Sequence, residues 1–354
     1  MELVDILKMI APGTPIREGL DNILKAKTGG LIVIGNIKEI ENIVDGGFFV
    51  NVEFTPARLY ELAKMDGAII LSDDLKQILY ANAQLIPDFN ITTVETGTRH
   101  RTAERVAKQT GNIVISISQR RGIITIYQKD LRYVLEDTSK VMSKSNQALQ
   151  TVEKYRKVFD NKINILTEYE FNDIVTLDIV ISAIQRSEML IRIAEEVQKS
   201  IAELGIEGRL LKMQLDELTD GVENEERLII KDYARENSDS LKDEEKIAKA
   251  IHSLKYEELL KEQTIANILG RKDVSDFAET TVYTRGYRIL NKVPRVPSYI
   301  VDNLVKKYKS FQKLLLSDIT ELDEVDGIGE VRAKTIVQTL KRMQEQFVFD
   351  RMIV

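Results

Sequence analysis

The stretch Thr96-Gly97-Thr98-Arg99-His100-Arg101-Thr102-Ala103-Glu104-Arg105 sets hydroxyls, guanidiniums and an imidazole side by side where a helical pattern begins. Ala103, Val106 and Ala107 keep helical spacing and Gly111 supplies a stop, so Thr98 falls at the expected N-cap. Cations in a first helical turn oppose the helix dipole, and a purely structural turn would carry Asp or Glu there. A bound anion removes the conflict. Backbone N–H groups, the Thr98 and Thr102 hydroxyls, Arg99, Arg101 and His100 would then converge as a nest for a polyphosphate. The plainer alternative is a solvated charged turn. Met65-Asp66-Gly67-Ala68 precedes an apolar run. Taken alone, Asp66-Gly67 is an ordinary turn pair, and it gains a chemical reading only in the company of the basic cluster.

A second chemical signal lies near the end of the chain, at Leu322-Asp-Glu-Val325-Asp-Gly327-Ile-Gly329-Glu-Val331-Arg332-Ala333-Lys334. Apolar positions 322, 325, 328 and 331 bracket the glycines Gly327 and Gly329, and a helix-forming run follows. Such a hairpin suits a phosphodiester backbone. The glycines let main-chain N–H groups approach a phosphate, and the next helix offers its positive end. Arg332 and Lys334 add cations without reading bases, so the grip should be sequence-independent and salt-sensitive. The pattern resembles a helix-hairpin-helix DNA-binding motif, with Ile300, Leu304, Tyr308, Phe311, Leu314 and Leu315 as a degenerate first copy. A glycine-capped helix pair used only for packing is the alternative.

The elements that must position these clusters are legible from periodicity. Val4, Leu7 and Ile10, and then Ile16 to Leu24, predict two short helices, the second ended by Gly29-Gly30. The runs 31–34, 68–71, 78–80, 113–117 and 123–127 read as strands, with Arg121-Gly122 a hairpin turn and Leu59, Leu62 and Ala63 marking another helix. Strands interspersed with helices predict an α/β domain with a mixed sheet flanked by helices over residues 1–145. From about residue 129 the pattern turns helical. Ile174 to Leu204, then 209–218 and 245–269, predict an all-α spine over 146–290, with breaks near Gly221 and Gly270. Asn291 to Ser298 holds two of the six prolines and reads as the linker into a small all-α domain, 291–354.

Composition narrows the chemistry. The 354 residues contain no cysteine and two histidines, which removes disulfides, thiolate metal sites, cysteine nucleophiles and clustered-imidazole metal centres. The net charge of −6 is uneven: residues 1–150 balance at 18 basic and 18 acidic, 151–290 carry 21 and 29, and 291–354 carry 11 and 9. Whole-chain acidity therefore does not exclude a nucleic-acid partner for the tail. There is neither a Walker A loop nor a Rossmann fingerprint. Acids at the N-terminus and the lack of a long apolar run lead to the expectation of a cytoplasmic, non-membrane protein.

Several segments together carry a family resemblance. Residues 11–20 and 28–35, Met65-Asp-Gly-Ala68, Asn82 to Asp88, Gly97 to Arg105 and Ser116-Ile-Ser-Gln119 resemble the diadenylate cyclase domain. With a long helical middle and a helix-hairpin-helix tail in that order, the chain is similar to the DNA integrity scanning (DisA) family throughout. The resemblance implies condensation of two ATP molecules into cyclic di-AMP with release of two pyrophosphates. It further implies facing protomers within an octamer and a nucleoid-associated protein that senses branched or damaged DNA. Asp66 would bind Mg²⁺ or Mn²⁺ and help activate the attacking 3′-hydroxyl. Gly67 and Leu85 would lie against the nucleotide, Thr98, Arg99, His100, Arg101 and Thr102 would hold its phosphates, and Ser118 would be a phosphate neighbour. Phosphoryl transfer is mostly positioning and charge neutralisation, so one carboxylate with a cationic pocket suffices without a covalent nucleophile. Joining two identical nucleotides requires two-fold related half-sites, and a monomer should be inactive.

Two other readings compete. A DNA-repair nucleotidyltransferase needs clustered carboxylates; Ser72-Asp73-Asp74 is the nearest approach, and adjacent aspartates on a strand would point to opposite faces. A non-enzymatic, nucleotide-sensing DNA scaffold needs no turnover. His252 reads as structural, and DNA at the tail is expected to regulate the front domain.

Overall fold

The computed structural model describes residues 3–235 and 244–351, with 347–351 described by backbone alone. The chain separates into two compact units, Met1–Gln147 with Gln198–Met213 and Ala148–Val197 with Gln214–Val354.

In the first unit, helices α1 (Leu3–Met9) and α2 (Pro15–Lys25) precede β1 (Gly30–Ile34). There follow α3 (Ile37–Ile40), β2 (Val44–Asp45), β3 (Phe48–Glu53), α4 (Pro56–Leu62), β4 (Ala68–Leu71) and β5 (Gln77–Leu85). Helix α5 (Thr98–Thr110) and strands β6 (Ile113–Ser118), β7 (Ile123–Gln128) and β8 (Leu131–Val134) complete it. Helices α2 and α4 start alike: Thr14 and Thr55 accept from the backbone N–H three residues on, and Pro15 and Pro56 occupy the first turn. The mixed sheet runs β2-β5-β4-β1-β6-β7-β8, with β3 also paired to β5. Among the described strand pairs only β1 and β4 are parallel, Ile32 opposite Ile69. Side-chain alternation divides the core. Ile32, Ile69, Ile115 and Ile117 pack under α1, α2 and α4, whereas Leu31, Val33, Val114 and Tyr127 meet Ala103, Val106 and Ala107 of α5. Strand β1 is buried throughout because both faces are covered.

The structure departs from the sequence reading at three places here. The helical signal was expected from residue 129, but Leu131–Val134 forms β8, with Val134 opposite Thr125; the free edge of β7 decides, and the long helix begins only at Thr138. Strand β3 was missed because its Phe48 and Phe49 are exposed on a sheet edge and give no core stripe. Ser72-Asp73-Asp74 forms a turn, not a strand: Ser72 Oγ donates to Asp74 Oδ1 (2.7 Å) and the Lys76 N–H to the same oxygen (3.0 Å), so these acids serve the turn.

Beyond β8 the described elements are helical; residues 138–147 and 198–213 belong to the first unit and the rest to the second. Helices α6 (Thr138–Asn172) and α7 (Leu177–Leu204) are followed by α8 (Arg209–Thr219), α9 (Val222–Tyr233), α10 (Glu244–His252), α11 (Tyr256–Leu259) and α12 (Glu262–Ile268). The helix expected from Ile174 starts at Leu177 because the residues before it pair with another segment, the Val175 carbonyl accepting the Val282 N–H at 2.9 Å and Thr176 bridging Thr281. The segment expected to be one helix over 245–269 is three, the second opened by a Glu258 carboxylate that accepts the Lys255 N–H at 2.9 Å. The tail adds α13 (Tyr287–Leu290), α14 (Ser298–Tyr308), α15 (Phe311–Leu315), α16 (Ile319–Asp323) and α17 (Glu330–Arg351). Its core joins Phe171 of α6 to Leu290, Val293, Leu304, Phe311, Leu322, Ile328 and Ile336. Beside that core, the fully buried Arg288 pairs with Glu170 of α6 and with Glu225 of α9 (2.8 Å), and donates to Thr167 (2.8 Å). Losing Arg288 would leave Glu170 buried without a counter-charge, a defect of about 3–5 kcal/mol. No helix among the described residues is long and apolar enough to cross a membrane.

Candidate functional site

Sheet direction gathers the sequence-predicted residues. Strands β1 and β4 are parallel and both begin at one edge of the sheet, where Gly29-Gly30 and Asp66-Gly67 precede them. Strands β5 and β6 run the opposite way and finish at that edge, at Leu85 and Ser118. Helix α5 is antiparallel to β6 through the short link after Gly111, so its first turn returns to the same edge. The contact that proves the return is Arg99 on Gly29: a Cβ there would fall 2.0 Å from Arg99 Nη1. Gly67 is held as closely, its N–H donating to Asn82 Oδ1 at 3.1 Å and a Cβ reaching within 2.3 Å of the Asn82 carbonyl carbon.

The start of α5 differs from expectation in one respect. Gly97, not Thr98, is the N-cap, with φ −81° and ψ 136°, and its carbonyl accepts the Arg101 N–H at 2.9 Å. Thr98 is already helical, so its hydroxyl cannot turn back on the first N–H groups. The helix therefore opens without a side-chain cap. Four cations then divide by position. Arg105 donates to the carbonyls of Ile91 (3.0 Å) and Phe89 (2.9 Å), and Lys108 to that of Thr92 (3.0 Å) and to Glu104 (2.8 Å). These two fasten the segment between β5 and α5. Arg99 and Arg101 have no hydrogen bond or ion pair from their guanidiniums among the described residues, and the exposed carboxylate of Asp66 likewise has none. Two unused guanidiniums, uncapped N–H groups and a free carboxylate at one sheet edge can receive an anionic ligand and a hard cation.

His100 is tied on its other side. Its Nδ1 lies 2.9 Å from Tyr127 Oη, the Tyr127 hydroxyl donates to Glu95 Oε1 at 2.8 Å, and Arg132 Nε donates to the same oxygen at 2.6 Å. Burial lowers the His100 pKa, helped by Arg121, Arg132 and Arg99 and opposed by Glu95. Burial pushes Glu95 up, but the hydrogen bonds from Arg132 and Tyr127 outweigh it and hold the carboxyl below its usual range. Burial, reinforced by Glu95, raises the Tyr127 hydroxyl far above its ordinary value. Glu95, Tyr127 and Arg132 were not singled out from sequence. They are spread over 37 residues of chain and no local pattern marks them. Ser118 Oγ accepts the Arg121 N–H at 3.2 Å, and Leu85 is buried at the end of β5.

The tail residues sit elsewhere, in the second unit. Between α16 and α17 the chain turns at Gly327, φ 86°, where a Cβ would press on Tyr299 (3.2 Å) and Ile300 (3.4 Å). Gly329 faces open space. Arg332 donates to the Gly327 carbonyl at 2.7 Å, and Lys334 pairs with Glu330 at 2.6 Å, both at the exposed surface.

Comparison with known proteins reaches nearly the whole chain. Residues 17–131 match the family described as DisA bacterial checkpoint controller nucleotide-binding. Residues 135–277 match the DisA bacterial checkpoint controller linker region. The DNA integrity scanning protein DisA of Acetivibrio thermocellus is 54% identical over 349 residues, covering 99% of this chain and 96% of that protein. That of Clostridium botulinum strain Loch Maree is 53% identical, covering 99% and 98%. The protein of the same description from Clostridium tetani is 53% identical, covering 100% and 97%.

Proposed function

The chain belongs to the DisA family of DNA integrity scanning proteins, and from that premise we propose that its first unit joins two ATP molecules into cyclic di-AMP, releasing two pyrophosphates, across facing copies of the same site. It is a diadenylate cyclase. The observation that carries the reading is the pairing of unused Arg99 and Arg101 at an uncapped helix start with the free Asp66 carboxylate at the same sheet edge. The guanidiniums, the first-turn N–H groups and the Thr98 and Thr102 hydroxyls hold the triphosphate, with His100 beside them. Gly67 and Leu85 line the nucleotide, and Ser118 borders the phosphates. Holding the α-phosphate in line with a neighbour's ribose hydroxyl is most of the catalysis such a transfer needs.

A divalent ion fits this site. No group of three or more His, Asp or Glu that could hold a metal occurs among the described residues, so Asp66 would supply one hard oxygen and the triphosphate and water the others, as suits Mg²⁺ or Mn²⁺. When bound it would neutralise phosphate charge and lower the pKa of the attacking hydroxyl. Since one site holds one nucleotide, two copies must meet face to face, and an octamer satisfies this with every site paired.

The turn at Gly327 and Gly329 serves as a DNA-backbone grip, supported by the open approach to Gly329 and the positive start of α17. A near-neutral tail favours branched or distorted DNA over plain duplex, and occupancy there regulates the cyclase, in a nucleoid-associated, cytoplasmic setting. Incubation with ATP and Mn²⁺ tests the core of the proposal. Cyclic di-AMP is expected; a DNA-templated product would favour a repair polymerase, and unchanged ATP a nucleotide-sensing scaffold.

A further inference from the structure

We propose that Glu95, Tyr127 and Arg132 are positioning residues that commit His100 to carrying its proton on Nδ1, so that Nε2 alone titrates and takes up a proton when the triphosphate binds. This rests on the placement of His100 at the nucleotide's phosphates. The geometry follows from donor counting. Arg132, a permanent cation, keeps Glu95 ionised at 2.6 Å, and an ionised carboxylate only accepts. The single proton of the Tyr127 hydroxyl therefore goes to Glu95, at 2.8 Å. What Tyr127 Oη turns to His100 is a lone pair, at 2.9 Å, and only a protonated Nδ1 can meet it. Tyr127 is fully buried in β7, and its ring packs edge-on to the imidazole with centroids 6.2 Å apart, so the ring plane is fixed as well. Nε2 has no partner among the described residues.

The assignment runs against the intrinsic preference of a neutral imidazole only in which nitrogen is chosen; it is imposed by the chain of donors. Charged groups face His100 from several elements: the cations Arg99 on its own helix, Arg121 in the β6–β7 turn and Arg132 on β8, and the anion Glu95. Burial and these cations favour the neutral ring, in which Nε2 is an acceptor. A phosphoryl oxygen is also an acceptor, so the two cannot bond until Nε2 gains a proton. The arriving negative charge supplies the drive for that uptake, and Glu95, two hydrogen bonds away, shares in balancing the imidazolium. Burial and Glu95 raise the Tyr127 hydroxyl, so it stays protonated and remains a donor to Glu95.

With His100 and His252 the only histidines, solid-state ¹⁵N spectra of full-length, sedimented protein labelled only at histidine resolve both rings, and a His252→Gln sample assigns them. Without nucleotide at pH 8, His100 should show a protonated Nδ1 and a bare Nε2. Adding the non-reactive analogue α,β-methylene-ATP with Mg²⁺ should protonate Nε2 at the same pH. Tyr127→Phe, and separately the more exposed Arg132→Gln, should give His100 a mixture of tautomers and shift the acid limb of the pH profile of KM for ATP, with kcat changed less. An Nε2–H tautomer in the parent protein overturns the proposal outright. A bare Nε2 with the analogue bound overturns the proton uptake. Failure of the analogue to bind at all would instead strike the nucleotide-site reading, while the tautomer measured without nucleotide still decides the positioning chain.

Discussion

Replacing Gly29 with alanine should damage nucleotide binding and spare the fold. The new Cβ would stand 2.0 Å from Arg99 Nη1, 2.8 Å from Cζ and 3.2 Å from Nη2. All three atoms belong to the far end of one flexible side chain, and Gly29 is not among the positive-φ glycines, so neither the backbone nor the core must move. The guanidinium swings away instead. A hydrogen bond from a charged donor is worth about 1.5–3 kcal/mol, so losing Arg99's grip should weaken nucleotide binding roughly 10- to 150-fold at about 1.4 kcal/mol per tenfold. Thermal stability should stay within about 0.5 kcal/mol of the parent, as for a surface substitution. Calorimetric titration with α,β-methylene-ATP and Mg²⁺, beside a thermal melt, reads both. Arg99→Ala should be equally weak, and combining the two changes should add nothing, because both remove the same contact. A folded Gly29→Ala protein that binds within twofold of the parent would refute the reasoning that Gly29 is the shelf on which Arg99 is aimed. Gly67→Ala is the contrasting case. Its Cβ would meet the Asn82 backbone at 2.3 and 2.6 Å, so it should lower the melting temperature as well as activity.

Asp66→Asn should leave the melting temperature unchanged, since the carboxylate is exposed and unpartnered among the described residues, while cyclic di-AMP synthesis falls to background; turnover near the parent rate would remove Asp66 from its role. Replacing Gly327 and Gly329 together with alanine should abolish retention of branched DNA in a gel-shift assay while DNA-free synthesis continues, and undiminished retention would refute the hairpin assignment. Glu226 is buried with Oε1 unpartnered, and burial, with Glu188 and Glu223 nearby, pushes its pKa up to about 8. The folded state thus keeps a proton that the unfolded chain loses near pH 4.5, so this group makes stability fall as pH rises from about 4.5 to 8. Glu226→Gln should flatten that decline, giving a melt above the parent's at pH 8.5 and close to it at pH 4; identical pH profiles would show that Glu226 is not so perturbed.

Periodicity and local chemistry by themselves determined much of this protein. Continuous apolar runs bounded by turns specified β1, β4, β6 and β7, because a strand buried on both faces must be apolar throughout. The Arg99-His100-Arg101 cluster was visible because cations at a helix start contradict the dipole, a conflict written into a few consecutive residues. Tertiary structure decided what depends on partners distant in the chain. Whether Leu131–Val134 became a strand rested on the open edge of β7. Which cations were left for a ligand rested on the segment that Arg105 and Lys108 hold down. The shelf under Arg99 and the donor chain from Arg132 through Glu95 and Tyr127 to His100 join residues from four parts of the sequence. Hydrogen-bond direction is a property of such a closed set of neighbours, so no stretch of sequence can encode it until the sheet has brought them together.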